Sequence, residues 1–464
     1  MTAEDQPTSR VASDDADLHV SASAHLSAAL AKISNINPRV NAFTDVVEDR
    51  AVAMAACIDN KRSAGGKLGR LAGVPFAVKN MIDIAEVRTR AGSKINLDNA
   101  PATRDATLIR RLESEDAVLV GALNMGEYAY DFTGENWHYG PSRNPHCIDH
   151  MSGGSSGGSG AAVAAGLVPV ALGSDTNGSI RVPSAFCGVF GLKPTFGRLS
   201  RSGSFPFVGS LDHLGPLAQS VSLLSSAYDV MQGGDRDDPA CVDRTIEPTF
   251  DSLSADIRSL RIAVAGGYFS RNAEPEALQS VRDVADALDA HLTIEIPEAE
   301  RARAAAQIIT AAEGGSLHLD RLRSRPGDFD PIVRDRLFAA ATVPAAWVQN
   351  AQRFRWWYQM QVLQLFETVD VILAPTTPCR APRIGQKELV LDGKIVPLRP
   401  AIGLFTQPIS FIGLPVVTVP RWVDYGLPLS VQIITAPWRE DLALRVAFHL
   451  EKMGVVRMRK PDTI

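Results

Sequence analysis

Two serines, set in separate Gly/Ser-rich turns, constrain this chain more than any other feature. The stretch Met151 to Thr195 reads MSGGSSGGSGAAVAAGLVPVALGSDTNGSIRVPSAFCGVFGLKPT. Ser155 lies in the first turn and Ser179 in the second, and an apolar helix-then-strand segment joins them. Glycine permits positive φ and lets backbone approach a ligand closely. A serine on such a turn exposes its hydroxyl beside free backbone N–H groups, the arrangement that acyl transfer requires. No histidine occurs between residues 151 and 212. The usual base for a serine nucleophile is therefore missing nearby, and another group must take the proton.

Lys79 fits that role. The segment Leu71–Asn80, LAGVPFAVKN, reads as a buried strand that ends in a lysine. Desolvation favours the neutral amine, and lysine shifts its pKa readily when buried. Ser155 then relays between Lys79 and Ser179, a nucleophile–base logic that recurs on unrelated folds. Taken alone, a Gly/Ser loop before a helix also reads as a phosphate site or a plain turn. Gly153–Gly160 has neither the GxxxxGK[ST] nor the GxGxxG order.

These segments, GVPFAVKN, GGSSGGSGAAVAAG and GSDTNGSIRVPSAFCGVFGLKPTFGRLS, resemble the amidase signature family. The likeness is dense over Leu71–Gly215 and returns more weakly at Ala374–Pro378, Pro408–Pro415 and Leu427–Gln432. It implies Lys79 as the base, Ser155 as the bridging serine after a cis peptide bond, and Ser179 as the acyl-forming nucleophile. It implies an oxyanion hole built from the backbone N–H groups of Thr176, Asn177, Gly178 and Ser179, and chemistry without metal or organic cofactor. The family commonly has Gly-Gly before the nucleophile. Here Asn177 stands in place of the first glycine; Asn tolerates left-handed geometry, but its side chain narrows the site.

A narrower resemblance rests on Ala122–Tyr130, Asp175–Ser179, Ser204–Val208 with Asp212–Gly215, and Glu313–His318. These runs are similar to the carboxybiuret-type amidohydrolases of bacterial s-triazine breakdown, which hydrolyse small urea-like amides and release ammonia. That likeness implies a small partner subunit, with room left for a homo-oligomer. Met125, Tyr130, His138, His318 and Arg321 are candidate substrate contacts. An arginine fork suits a carboxylated substrate, and Arg321, Arg323, Arg325, Arg334 and Arg336 are all available. His213 and His318, as lone histidines, read as structural hydrogen-bonding groups ahead of acid–base groups. Arg181 is expected to pair with a carboxylate that holds the Ser179 loop, and Asp83 and Asp175 to orient or cap loops. Three rival readings stay open: the glutamine amidase subunit of a tRNA-dependent amidotransferase, a general small-amide amidase, and a degenerate member that only binds.

The bulk numbers exclude several classes. With 45% hydrophobic and 21% charged residues over 464 positions, the chain has enough apolar content for a large core. A net charge of −5 gives no footprint for nucleic acid or an anionic membrane. Five scattered cysteines with no CxxC pair read as reduced thiols of a cytoplasmic protein. Residues 1–20 are acidic, lack the apolar core of a signal peptide and are expected to be a mobile tail. No linker or repeat divides the rest, so one domain is expected over 21–464, with the signature core at about 71–215. Alternating helices and apolar strands predict an α/β fold with a large sheet covered by helices on both faces. The family resemblance makes that sheet mixed and twisted.

Overall fold

Alternate residues of the central strands face two different hydrophobic cores. Phe76, Val78, Leu119, Val170 and Leu172 belong to the larger core, whereas Ala77, Val118, Val120 and Ala171 belong to a smaller one. Successive side chains of a strand point to opposite faces. A strand covered on both sides therefore reads as a continuous apolar run, which is why PFAVK and VLVGAL show no alternation. The computed structural model describes residues 20–423 and 426–462. The tail expected over 1–20 lies, up to residue 19, outside the described residues.

The first elements are α1 (Ala22–Val40), β1 (Phe43–Val46), α2 (Glu48–Ser63), β2 (Pro75–Lys79), α3 (Thr107–Ser114) and β3 (Val118–Leu123). A hairpin of β4 (Arg143–Asn144) and β5 (Cys147–Met151) leads to α4 (Gly157–Ala164), β6 (Val170–Asp175) and α5 (Arg181–Cys187). Next come β7 (Phe190–Lys193), β8 (His213–Ala218), α6 (Val221–Met231), β9 (Ile262–Ala265), α7 (Pro275–Ala287) and β10 (Leu292–Ile294). Three helices follow, α8 (Ala299–Ser324), α9 (Pro331–Ala340) and α10 (Ala345–Leu365), before β11 (Val371–Pro375). A second hairpin, β12 (Glu388–Leu391) and β13 (Lys394–Pro397), precedes α11 (Leu398–Ile402) and α12 (Gln407–Ser410). The last elements are β14 (Val416–Arg421), β15 (Leu429–Thr435) and α13 (Glu440–Lys452).

Eleven strands form one mixed sheet in the order β1-β3-β2-β6-β8-β7-β14-β15-β11-β9-β10. The trio β3-β2-β6 is parallel, and so is β11-β9-β10; the strands between them pair antiparallel. Helices α1, α2 and α4 bury residues in the smaller core, and α6, α7, α8 and α13 in the larger one. This is the sheet covered on both faces that the sequence predicts.

Two differences matter for the site. The sequence suggests a helix over about 217–232, but Val221 starts it, and the residues before form β8 antiparallel to β6. Gly215 and Pro216 make that strand look like a turn. The helix expected at 300–312 continues to Ser324 through Gly314 and Gly315. A Cβ at Gly314 would lie 2.7 Å from Phe207 Cε2, so the glycine allows close helix-to-loop packing rather than ending the helix.

Candidate active site

Strands β2 and β6 lie side by side and parallel, so their C-terminal ends open on one edge of the sheet. That edge is where open α/β sheets gather their ligand-binding loops. Lys79 ends β2, and Ser174 and Asp175 end β6. The Lys79 side chain is wholly buried, with Nζ 2.6 Å from Ser155 Oγ and 2.8 Å from Ser174 Oγ. Burial pushes its amine down to about 7, against the opposing pull of Asp212, Asp175 and Asp131. A large neutral fraction near pH 7 is what a proton acceptor needs.

The turn bearing Ser155 is tightly enclosed. The Gly154–Ser155 peptide is cis. Gly126 N donates to Ser155 O at 3.2 Å, and Gly154 N to Phe132 O at 2.9 Å. Asp131 braces the far side, accepting from Thr133 N at 2.9 Å, Gly134 N at 2.7 Å and Arg399 Nη1 at 2.7 Å. A Cβ at Gly154 would come within 2.5 Å of the same carboxylate, so no larger residue fits there.

Ser179 sits in the turn between β6 and α5. Asp175 and Arg181 anchor this turn without solvent access. Burial raises the Asp175 carboxyl, but the charge and hydrogen bonds of Arg181 outweigh it and hold the group well below the usual carboxylate range. Arg181 Nη1 also donates to Gln432 Oε1 at 2.7 Å, and Nη2 bonds Ser410 Oγ. Thr176 Oγ1 donates to Asp212 Oδ1 and Thr406 Oγ1 to Asn177 O, both at 2.6 Å. Asn177 Nδ2 donates to Thr310 Oγ1 at 2.9 Å, which ties the turn to α8. Gly178 has φ 143°, and a Cβ there would lie 2.3 Å from Thr406 Oγ1. Among the described residues, no acceptor takes the backbone N–H of Thr176, Asn177, Gly178 or Ser179, and the Ser179 hydroxyl has no hydrogen-bond partner. The turn thus presents unspent donors next to a free hydroxyl.

Of the candidate substrate contacts, Met125, Tyr130 and His138 lie between β3 and β4, whereas His318 and Arg321 lie on α8. Met125 is buried in the larger core, and its carbonyl accepts from Asn136 Nδ2 at 2.8 Å. Tyr130 packs on Phe207, and the Arg336 guanidinium lies 3.5 Å from the Tyr130 ring centroid. His138 Nε2 is 3.0 Å from Glu127 Oε1 in an enclosed pair. His318 is wholly buried among Tyr128, Phe205 and Phe329, and neither ring nitrogen has a partner among the described residues. Burial pushes it down to about 3, so the ring is neutral. Arg321 stacks over Tyr128 and Phe205. Of the five arginines open from sequence, Arg323, Arg325 and Arg334 face aspartates. Arg321 and Arg336 face no carboxylate among the described residues. Several groups escaped the sequence reading: Ser174 on Lys79, Asp131 behind Ser155, and Thr310 and Thr406 on Asn177. Among the described residues, no three His, Cys, Asp or Glu side chains gather into a metal-holding group. Among the described residues, no helix is long and apolar enough to cross a membrane.

The family described as Amidase matches residues 24–444. AtzE of Pseudomonas sp. (strain ADP), a 1-carboxybiuret hydrolase subunit, is 53% identical over 433 residues, covering 93% of this chain and 95% of that protein. A glutamyl-tRNA(Gln) amidotransferase subunit of Roseiflexus sp. (strain RS-1) is 36% identical over 94% of this chain and 93% of its own length. A solved structure described as "An unexpected vestigial protein complex reveals the evolutionary origins of an s-triazine catabolic enzyme" superposes with a TM-score of 0.94. It is 52% identical and covers 95% of this chain and 97% of its own. The buried Lys79–Ser155 contact, the Ser179 turn and the match along nearly the whole chain lead to one conclusion: the chain belongs to the amidase signature family.

Proposed function

We propose that this amidase hydrolyses a terminal C–N bond of a small carboxylated ureide of the carboxybiuret type, releasing ammonia, through Ser179, Ser155 and Lys79. The observation that carries the mechanism is the fully buried Lys79 amine 2.6 Å from Ser155 Oγ. Neutral Lys79 takes the Ser155 proton while Ser155 takes that of Ser179, and Ser179 Oγ attacks the carbonyl carbon. The oxyanion is received by the free N–H groups of residues 176–179, donors that are already in place before charge develops. The same relay returns the proton to the leaving nitrogen as the C–N bond breaks. Water then enters, gives its proton to the relay and attacks the acyl-enzyme, and the relay returns that proton to Ser179 Oγ as the acyl C–O bond breaks.

The substrate class is supported by the 53% identity to a carboxybiuret hydrolase subunit, compared with 36% to an amidotransferase subunit. It is also supported by Asn177, a polar side chain in the nucleophile turn that narrows the space above it. Tyr130, His138 and Arg321 serve this reading as walls of the pocket, with Arg321 or Arg336 as the carboxylate clamp, whereas the buried side chains of Met125 and His318 pack behind them and meet no substrate. A small partner subunit belongs to the same reading, since the structural relative is described as a protein complex. Two measurements test it together. A fluorophosphonate probe with peptide mapping should place its adduct on Ser179, and an adduct on Ser155 or Ser156 would reverse the assignment. Ammonia release should be fastest on carboxybiuret in a panel with biuret, allophanate, glutamine and aryl acetamides.

A further inference from the structure

A second buried lysine stands behind the Ser179 turn, and the relay just described gives it no part. Lys193, the last residue of β7, has no exposed surface, and His213, the first of β8, is 3% exposed. Lys193 Nζ lies 3.2 Å from His213 Nε2 and donates to Pro194 O at 3.0 Å. The other ring nitrogen, Nδ1, is 3.0 Å from Asp175 O and 2.6 Å from Leu211 O. Carbonyl oxygens only accept, so Nδ1 carries the proton. Burial, with Lys193 next, holds the ring well below its ordinary pKa, so it is neutral and Nε2 is an acceptor that the lysine fills. With two acceptors in reach, Lys193 makes both bonds as an ammonium or as a neutral amine. His213 and Asp175 are cross-strand partners in the β6–β8 register. Asp212, one residue earlier, holds Thr176. The start of β8 therefore grips two consecutive residues where the Ser179 turn leaves the sheet.

We infer that Lys193 and His213 are positioning residues for the acyl transfer: Lys193 fixes the tautomer of His213, and His213 Nδ1–H holds the Asp175 carbonyl so that the turn keeps its N–H groups and Ser179 aimed. The inference rests on the reading of Ser179 as the nucleophile. Neither side chain needs to touch substrate. Small errors of aim are enough, because misplacement by about 1 Å costs on the order of 10²-fold in rate.

The test uses the full chain, ammonia-release kinetics on carboxybiuret, and the rate and site of fluorophosphonate labelling. His213→Leu removes both ring nitrogens and should lower kcat roughly 10²-fold with KM changed less than about twofold. His213→Asn keeps a donor near the Nδ1 position but nothing at Nε2, and should recover most of that loss. Lys193→Met should lower kcat about tenfold alone and less than about twofold in the His213→Asn background, the non-additivity expected of one chain of contacts. The adduct site and the adduct rate separate the two ideas. An adduct away from Ser179 in the unaltered enzyme refutes the nucleophile reading. An adduct on Ser179 that forms at an unchanged rate in Lys193→Met and His213→Leu overturns the positioning role. If His213→Leu does not fold, equal Lys193→Met losses in the two remaining backgrounds overturn it as well.

Discussion

Arg181 Nε and Nη2 reach the two oxygens of Asp175 at 2.9 and 3.0 Å, and neither side chain meets solvent. Arg181 also bridges to Gln432 and Ser410, so one guanidinium ties the nucleophile turn to α12 and β15. Removing one partner of such a pair leaves an uncompensated buried charge, which costs about 3–5 kcal/mol. Arg181→Met is expected to lower stability by that amount, seen as a shift of the urea midpoint at constant slope. Arg181→Lys keeps the charge but loses the two-pronged geometry and should fall in between. A midpoint unchanged in Arg181→Met would remove the pair from the account of how the turn is held.

Lys79 lies about 7 because burial outweighs three nearby aspartates. If it is the base, kcat/KM should rise with pH through about 7 and level off above it, since that profile reports the free enzyme's groups. Lys79→Ala should cost roughly 10³-fold or more in kcat, and Ser155→Ala a similar amount. The double variant should cost little more than the worse single one, because residues that act as a unit are not additive. Two independent, multiplying losses would argue against a shared relay.

The same residue makes a prediction about stability, where replacing it helps rather than harms. In the unfolded chain Lys79 titrates at its ordinary value of 10.5, and in the folded protein near 7. Between those values the unfolded state binds more protons, so this group makes stability rise with pH. The burden is full below about pH 7 and gone above about pH 10.5. Lys79→Met should therefore inactivate the enzyme while raising its melting temperature, by more at pH 6.5 than at pH 9.5. A melting temperature lowered equally at both pH values would show that the hydroxyl contacts of Lys79 outweigh its desolvation.

The parts of the site that sequence exposes are those written as contiguous loops. The turn at Ser155, the turn at Ser179 and the strand ending in Lys79 each carry their own glycines or apolar run, so local chemistry signals them. Arg181 was expected to find a carboxylate and finds Asp175, six residues away. Its remaining partners, Ser410 and Gln432, fall within the weakly similar segments Pro408–Pro415 and Leu427–Gln432, whose meaning appears only once the sheet brings β15 beside β14. Ser174 was hidden because a serine in an apolar strand looks like any other core serine. His213 reads from sequence as a structural hydrogen-bonding group, but its partner is hidden by β8: Gly215 and Pro216 mask the strand, and without it no cross-strand partner for Asp175 can be read. Partners distant in sequence depend on register, which composition does not encode.

Asn177 and two arginines make the last prediction, on substrate choice. The Asn177 side chain is held by Thr310 and its main-chain carbonyl by Thr406, so swinging the side chain away to admit a bulky acyl group costs the Thr310 bond. Asn177→Gly, which restores the glycine common in the family, should raise kcat/KM on an aryl acetamide roughly tenfold, the scale on which pocket shape discriminates between substrates. Arg321 and Arg336 stack on aromatic rings and face no carboxylate among the described residues. On the proposed reading one of them clamps an anionic substrate, Arg336 giving up its bond to Tyr130 O to do so, and such a contact is worth about 2–5 kcal/mol when truncated. Alanine at that arginine should raise KM for carboxybiuret at least tens-fold and leave neutral biuret nearly unchanged. Faster turnover of a neutral hydrophobic amide than of any ureide by the unaltered enzyme would sink the substrate assignment and leave the amidase chemistry standing.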